Sequence, residues 1–123
     1  MFFSRALLAV ASVMGLVAVS APAWAEHVDL MSSDGPLRLE VSRSGEVTGS
    51  YASKDGEMRG RASANGDLNG IWMQPRSDHP CQEARDGTYS WGSFRITGIY
   101  GRNPAGYWGY CGERADRDWH IRR

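Results

Sequence analysis

The stretch Ser44 to Trp72 contains SGEVTGSY, DGEMRGRA and NGDLNGIW, so one short phrase occurs three times. Each copy carries a turn residue before Gly, then an acid, an apolar residue, one free position and a second Gly. Turn glycine followed by alternation is the pattern of successive β-hairpins. The first glycines are 11 residues apart from copy one to copy two and 10 from copy two to copy three. A strand shifted by one residue turns its apolar set to the wrong face, so the turn lengths must alternate to keep the faces aligned.

Upstream, Leu37, Leu39 and Val41 alternate with Arg38, Glu40 and Ser42, the period of a half-buried strand. A three-residue loop Arg43-Ser44-Gly45 then pairs Val41 with Val47 and Leu37 with Tyr51. An Asp55-Gly56 two-residue turn pairs Tyr51 with Gly60 and Gly49 with Ala62. The loop Ala64-Asn65-Gly66 pairs Ala62 with Leu68, Gly60 with Gly70 and Met58 with Trp72. The inner face expected is Leu37, Leu39, Val41, Val47, Tyr51, Met58, Ala62, Leu68 and Trp72. Its opposite carries Arg38, Glu40, Thr48, Ser50, Arg59, Arg61, Ser63 and Asn69, with Ile71 as the exception. Gly49, Gly60 and Gly70 fall on the inner face, where missing side chains let a sheet coil sharply.

Gly45 to Trp72 resembles the MORN repeat in its Gly-x-x-x-Gly and Gly-x-aromatic spacings. The period near ten residues is shorter than that family's unit, and the second half of the chain does not continue it. The resemblance is one of hairpin chemistry and carries no function across.

Gln74 to Arg85 is polar, contains Pro75 and Pro80, and reads as the longest loop. Asp86-Gly87 opens a strand through Tyr89, Trp91 and Phe94, with a bulge expected where alternation breaks at Trp91-Gly92. Thr97-Gly98 reads as a tight turn or kink, Asn103 to Gly106 as a turn, and Tyr107 to Cys111 as the next strand. Trp119 and Ile121 begin a last short strand expected to pair with the first. No segment from Glu26 onward has a helical period. The fold class expected is all-β: a small antiparallel up-and-down meander closing into a roughly eight-stranded barrel, with a two-sheet β-sandwich as the alternative. The wealth of Tyr and Trp among core positions points to a filled interior.

At the N-terminus, Arg5, the apolar run Ala6 to Val19 and the small residues of Ala23-Trp24-Ala25 form the pattern of a secretory signal peptide cleaved after Ala25. The apolar run is shorter than the ~20 residues of a membrane span. The expected organisation is therefore a signal at 1–25 and a single all-β domain at 26–123, located in the periplasm or secreted. The chain has 14 basic and 14 acidic residues, and removing the signal leaves one more acid than base. That balance lacks the basic footprint of a nucleic-acid binder. Cys81 and Cys111 are the only cysteines, and in an exported chain they are expected to form a disulfide. Closing that loop contributes ~3.5 kcal/mol by chain entropy.

No catalytic constellation is visible. His27, His79 and His120 are scattered, no Ser or Cys sits in a nucleophile motif, and Glu46, Glu57 and Asp67 read as solvated turn ends. No zinc or calcium spacing occurs, and no cofactor is implied. The candidate site is instead the C-terminal aromatic cluster with its arginines: Trp91, Arg95, Tyr100, Arg102, Tyr107, Trp108 and Tyr110. Such residues make binding surfaces for proteins or stack on sugar rings, and Trp108 and Tyr100 are those expected to be exposed. The function expected is a non-enzymatic binding module, inhibitor-like toward a protein partner. The alternative is a module for carbohydrate or an envelope polysaccharide, and a small secreted hydrolase is a remoter one.

Overall fold

The computed structural model describes residues 24–123, with side chains from Glu26 onward; the expected signal peptide lies outside the described residues but for its end. Nine antiparallel strands follow one another as a meander: β1 (Trp24–Ser32), β2 (Gly35–Ser42), β3 (Glu46–Tyr51), β4 (Gly56–Ala62), β5 (Leu68–Gln74), β6 (Ser90–Thr97), β7 (Ala105–Tyr110), β8 (Arg117–Trp119) and β9 (Ile121–Arg122). The sheet order is β8-β7-β6-β5-β4-β3-β2-β1-β9. Strands β8 and β9 are two parts of one segment around His120. The first part pairs with β7 and the second with β1, so that segment bridges the two ends of the sheet into a nearly closed barrel. The Ser33 N–H donates to the His120 carbonyl at 3.1 Å, fixing the crossover. The strand expected to return to β1 is thus present, and it touches both edges.

The repeated phrase behaves largely as its spacing implies. Val41 faces Val47 and Leu37 faces Tyr51, while Ala62, Gly60 and Met58 face Leu68, Gly70 and Trp72. Gly45 and Gly66 close the first and third turns with φ of +91° and +89°, the left-handed region that glycine enters without steric cost. The middle turn differs. Tyr51 pairs with Gly56 and Gly49 with Met58, not with Gly60 and Ala62. The chain turns through Ala52 to Asp55, including a 3-10 turn at Ser53–Asp55 in which Lys54 and Asp55 have positive φ. The displacement from the expected register is four residues, an even number, so every side chain keeps its face. Two contacts favour the longer turn. The Tyr51 ring lies across the bare Cα of Gly56, and the Lys54 amine reaches Asp34 at 3.8 Å.

All the expected inner-face residues are buried except Ala62, which is half-buried against the same cluster. Val28, Leu30, Phe94, Ile96, Ile99 and Trp119 complete the core. Gly60 and Gly70 face each other across β4 and β5 so closely that either Cβ would strike the partner's backbone. This is the close approach that lets the sheet curl.

Strand β6 runs without a register break, so the expected bulge at Trp91-Gly92 is absent. Gly92 points inward beneath the Trp72 indole, where a Cβ would lie 2.5 Å from Trp72 Cζ2. Trp91 points outward and is nonetheless buried. The loop from Pro75 to Tyr89 folds back over the outside of β5 and β6, covering Met73 and Trp91 with Ile71 alongside. That packing accounts for Ile71, the apolar exception on the outer face. The Cys81–Cys111 disulfide, Cα–Cα 5.6 Å, ties the loop to the end of β7. The Trp91 indole N–H donates to the Glu83 carbonyl at 2.7 Å.

Candidate functional site

In an up-and-down meander alternate connections lie at the same end. The turns after β1 and β3, the loop after β5 and the turn after β7 therefore share one rim. The connections after β2, β4 and β6 share the other. That second end is closed. Ile99 is fully buried, its N–H donates to the Gly66 carbonyl at 3.1 Å, and Tyr100 lies over Gly66. The first end is open. It holds a cavity of about 350 Å³ lined by Tyr51, Trp72, Trp108, Tyr110 and Trp119, with Asp34, Lys54, Gln74, Arg76, Ser77 and Asp78 also lining it. The interior is thus filled toward one end and hollow at the other, where a wholly filled barrel is expected from the sequence.

The register explains why these side chains converge. Tyr51, Gln74 and Tyr110 are the last residues of β3, β5 and β7, the strands that run toward the open rim, and all take inward parity. Trp72 and Trp108 stand two residues earlier on β5 and β7. Trp119 reaches the same space from the closing segment. The rings meet edge to face: Trp108 and Tyr110 at 4.8 Å between centroids, Trp72 at 6.2 Å from each, and Tyr51 against Trp119 at 5.8 Å. Such contacts rigidify a wall beyond what burial alone supplies. The Trp72 indole N–H is anchored on the Gly109 carbonyl at 3.1 Å.

Above the rings the rim is polar. His79 stacks on Tyr110 at 4.4 Å, and the Arg117 guanidinium lies 5.3 Å from the Trp108 centroid and 5.2 Å from that of Tyr110. The Gln74 amide donates to the Tyr51 hydroxyl at 2.6 Å. Burial pushes the Tyr51 phenol up to about 12, with the Asp34 carboxylate adding to the rise and the Gln74 hydrogen bond opposing it. Tyr51 is therefore a neutral hydroxyl at any physiological pH. The buried Trp119 indole N–H has no acceptor in the protein. A mouth of this kind holds a compact amphipathic molecule by its faces and its edge groups.

Of the candidate residues read from the sequence, Trp108 and Tyr110 belong to this mouth. Trp108, expected to be exposed, is half-buried in the wall. Trp91 is buried on the outside beneath the Pro75 to Tyr89 loop, with Arg85 over its ring at 4.8 Å. Arg95 and Tyr107 pair with each other on the outer barrel wall, 4.4 Å from guanidinium to ring. Tyr100 is exposed as expected, but at the closed end, where its hydroxyl donates to Glu26 at 2.5 Å. Arg102 is exposed in the same closed-end loop. The seven residues do not form one surface. From the sequence Tyr51 and Trp72 read only as core, Trp119 only as the start of the last strand, and Gln74 and Arg76 only as loop. The signal that identifies them is inward parity combined with position at the end of an upward strand.

Among the described residues no group of three or more His, Cys, Asp and Glu is placed to hold a metal ion, and no helix is long and apolar enough to cross a membrane. What fold and site define is a small antiparallel β-barrel with an aromatic, ligand-sized mouth. Comparison with protein families, curated proteins and solved structures finds no match.

Proposed function

We propose that the protein is an exported binding module that receives a sugar ring of a glycan in the open mouth of the barrel. The observation that carries this reading is the 350 Å³ cavity walled by Trp72, Trp108 and Tyr110 and rimmed by hydrogen-bonding side chains. Sugars present apolar C–H faces bordered by hydroxyls. Indole and phenol rings pack against such faces, and Asp, Gln and Arg side chains bond the hydroxyls at the edge. The cavity lies at the small end of the range for ligand sites of ~300–1,000 Å³, so it takes one or two rings of a longer chain.

A protein partner bound through the C-terminal aromatics would need them on one contiguous face. Here they are divided between the mouth, the covered outer wall and the closed end, and the glycan reading fits that division better. Export rests on the residue pattern of the first 25 positions, which precedes almost all of the described chain; the disulfide and the absence of a membrane-spanning helix among the described residues are compatible with it.

The test is titration of the oxidised domain from Glu26 onward with a panel of neutral and acidic oligosaccharides, read by tryptophan emission and calorimetry. At least one glycan class is expected to shift the emission. Trp108→Ala is expected to weaken that binding about tenfold or more, as loss of a central aromatic anchor does. If no oligosaccharide perturbs the tryptophans or releases heat, the reading is wrong.

A further inference from the structure

The cations at the mouth are not equivalent. Lys54 is engaged by Asp34 at 3.8 Å. Arg117 stands directly across from Trp108 on β8, with its guanidinium over the rings of Trp108 and Tyr110. Among the described residues it has no carboxylate within 4.0 Å and donates no hydrogen bond to the protein. Arg76, in the cavity lining, likewise has no ion pair. A guanidinium has five N–H donors in a fixed plane. Contact with the two rings positions the guanidinium while its N–H donors stay unused by the protein, which leaves them free for a carboxylate. Arg76 and Asp78 are the unpaired charges of the lining, and Arg117, beside the cavity over two of its rings, adds a second unpaired cation.

We propose that the mouth selects a glycan bearing a carboxylate, a uronic-acid-type sugar, with the acid group on Arg117 and the pyranose face on Trp108. This rests on the glycan reading above and narrows it. Arg76 supplies a second cation at the rim, and Asp78 accepts from a ring hydroxyl. The carboxylate displaces water from donors that no protein group uses, in a site partly shielded by aromatic walls, where a charge-assisted bond is stronger than in open solvent.

The experiment compares trimers of galacturonic, glucuronic and mannuronic acid with their methyl esters, which keep the ring and remove the charge. Affinities are measured by calorimetry at low and moderate salt. At least one free acid is expected to bind about tenfold or more tightly than its ester, as the loss of a charged hydrogen-bonding partner implies, and the difference is expected to shrink with added salt. Arg117→Gln is expected to bring acid and ester to the same affinity while the melting temperature stays near that of the parent. Equal binding of acid and ester by the parent protein overturns this proposal and leaves the glycan reading standing. So does a preference that survives Arg117→Gln. Binding of neither acids nor esters, together with a silent neutral panel, removes both.

Discussion

Tyr51 shows how one side chain joins the fold to the site. Its ring fills the space left by Gly56, its edge meets Trp119, and its hydroxyl accepts from Gln74 at the cavity wall. Only 4 % of it is exposed, so its charged form is disfavoured and the folded pKa stands at about 12 against an ordinary 10.0. The consequence for stability has a definite sign. Below pH 10 folded and unfolded chains both carry the proton and the contribution is constant. Between pH 10 and 12 the unfolded chain releases it while the folded chain keeps it, so stability falls as pH rises. Two units correspond to about 2–3 kcal/mol once pH exceeds the folded value. Tyr100 is also raised to about 12, first by its hydrogen bond to Glu26, but it is half-exposed and solvent screening leaves it a minor share. Urea unfolding of the parent and of Tyr51→Phe from pH 9 to 12 tests the assignment. The parent should lose stability across that window and the variant should lose much less; equal slopes would place the effect elsewhere. Gly92 makes the steric counterpart. Gly92→Val would push a side chain into the Trp72 indole and the Gly109 carbonyl, and overpacking of this kind costs about 1–3 kcal/mol, readable as a lower urea midpoint.

At the scale of elements, the loop from Pro75 to Tyr89 carries both stability and site geometry. Its outer packing on Met73 and Trp91 and its disulfide to the end of β7 hold Arg76, Ser77 and Asp78 at the mouth. Replacing both cysteines with serine should lower stability by about 3.5 kcal/mol, the chain entropy of a loop of 30 residues. It should also weaken ligand binding, because the rim side chains lose their tether. A double variant with parent-like stability and affinity would show that the apolar packing alone positions the loop. The loop also marks where the sequence stopped being informative. The three hairpins from Leu37 to Trp72 were legible in two turns out of three, because Gly45 and Gly66 occupy positions only a left-handed residue suits. The middle turn was not, since Asp55-Gly56 has the composition of a two-residue turn and the competing benefit, a tyrosine ring on a glycine, is tertiary. Trp91-Gly92 misled for the same reason: two consecutive buried residues imply a bulge unless a loop folds back over the outer face. The site was half legible. Trp108 and Tyr110 stand out by composition, whereas Tyr51 and Trp72 look like ordinary core until the strand directions show that they stand at an open rim.

For the whole molecule the weak point is closure. Six of the neighbouring strand pairs are extended ladders, but the barrel is completed by a segment that pairs over Gly106 to Trp108 on one side and over Met31 and Ser32 on the other. A cleft of about 600 Å³ runs along this seam beside Met31, Pro104, Tyr107 and Ile121. Few ladder bonds and an adjoining open cleft are the properties of a unit that opens below the global unfolding free energy. Amides from Arg117 to Arg122 should therefore exchange with deuterium about ten- to a hundredfold faster than those of β4 and β5, as measured by NMR. The same segment holds Trp119 and Arg117 in the mouth, so opening it dismantles the proposed ligand site. A ligand that binds only the closed barrel must then slow exchange in this segment by a factor that follows its occupancy, while the β4 and β5 amides respond only through global stability. Uniform slowing across all strands would mean that the closing segment moves with the barrel as one unit, and uniform protection without ligand would mean that its short ladders are as secure as the long ones.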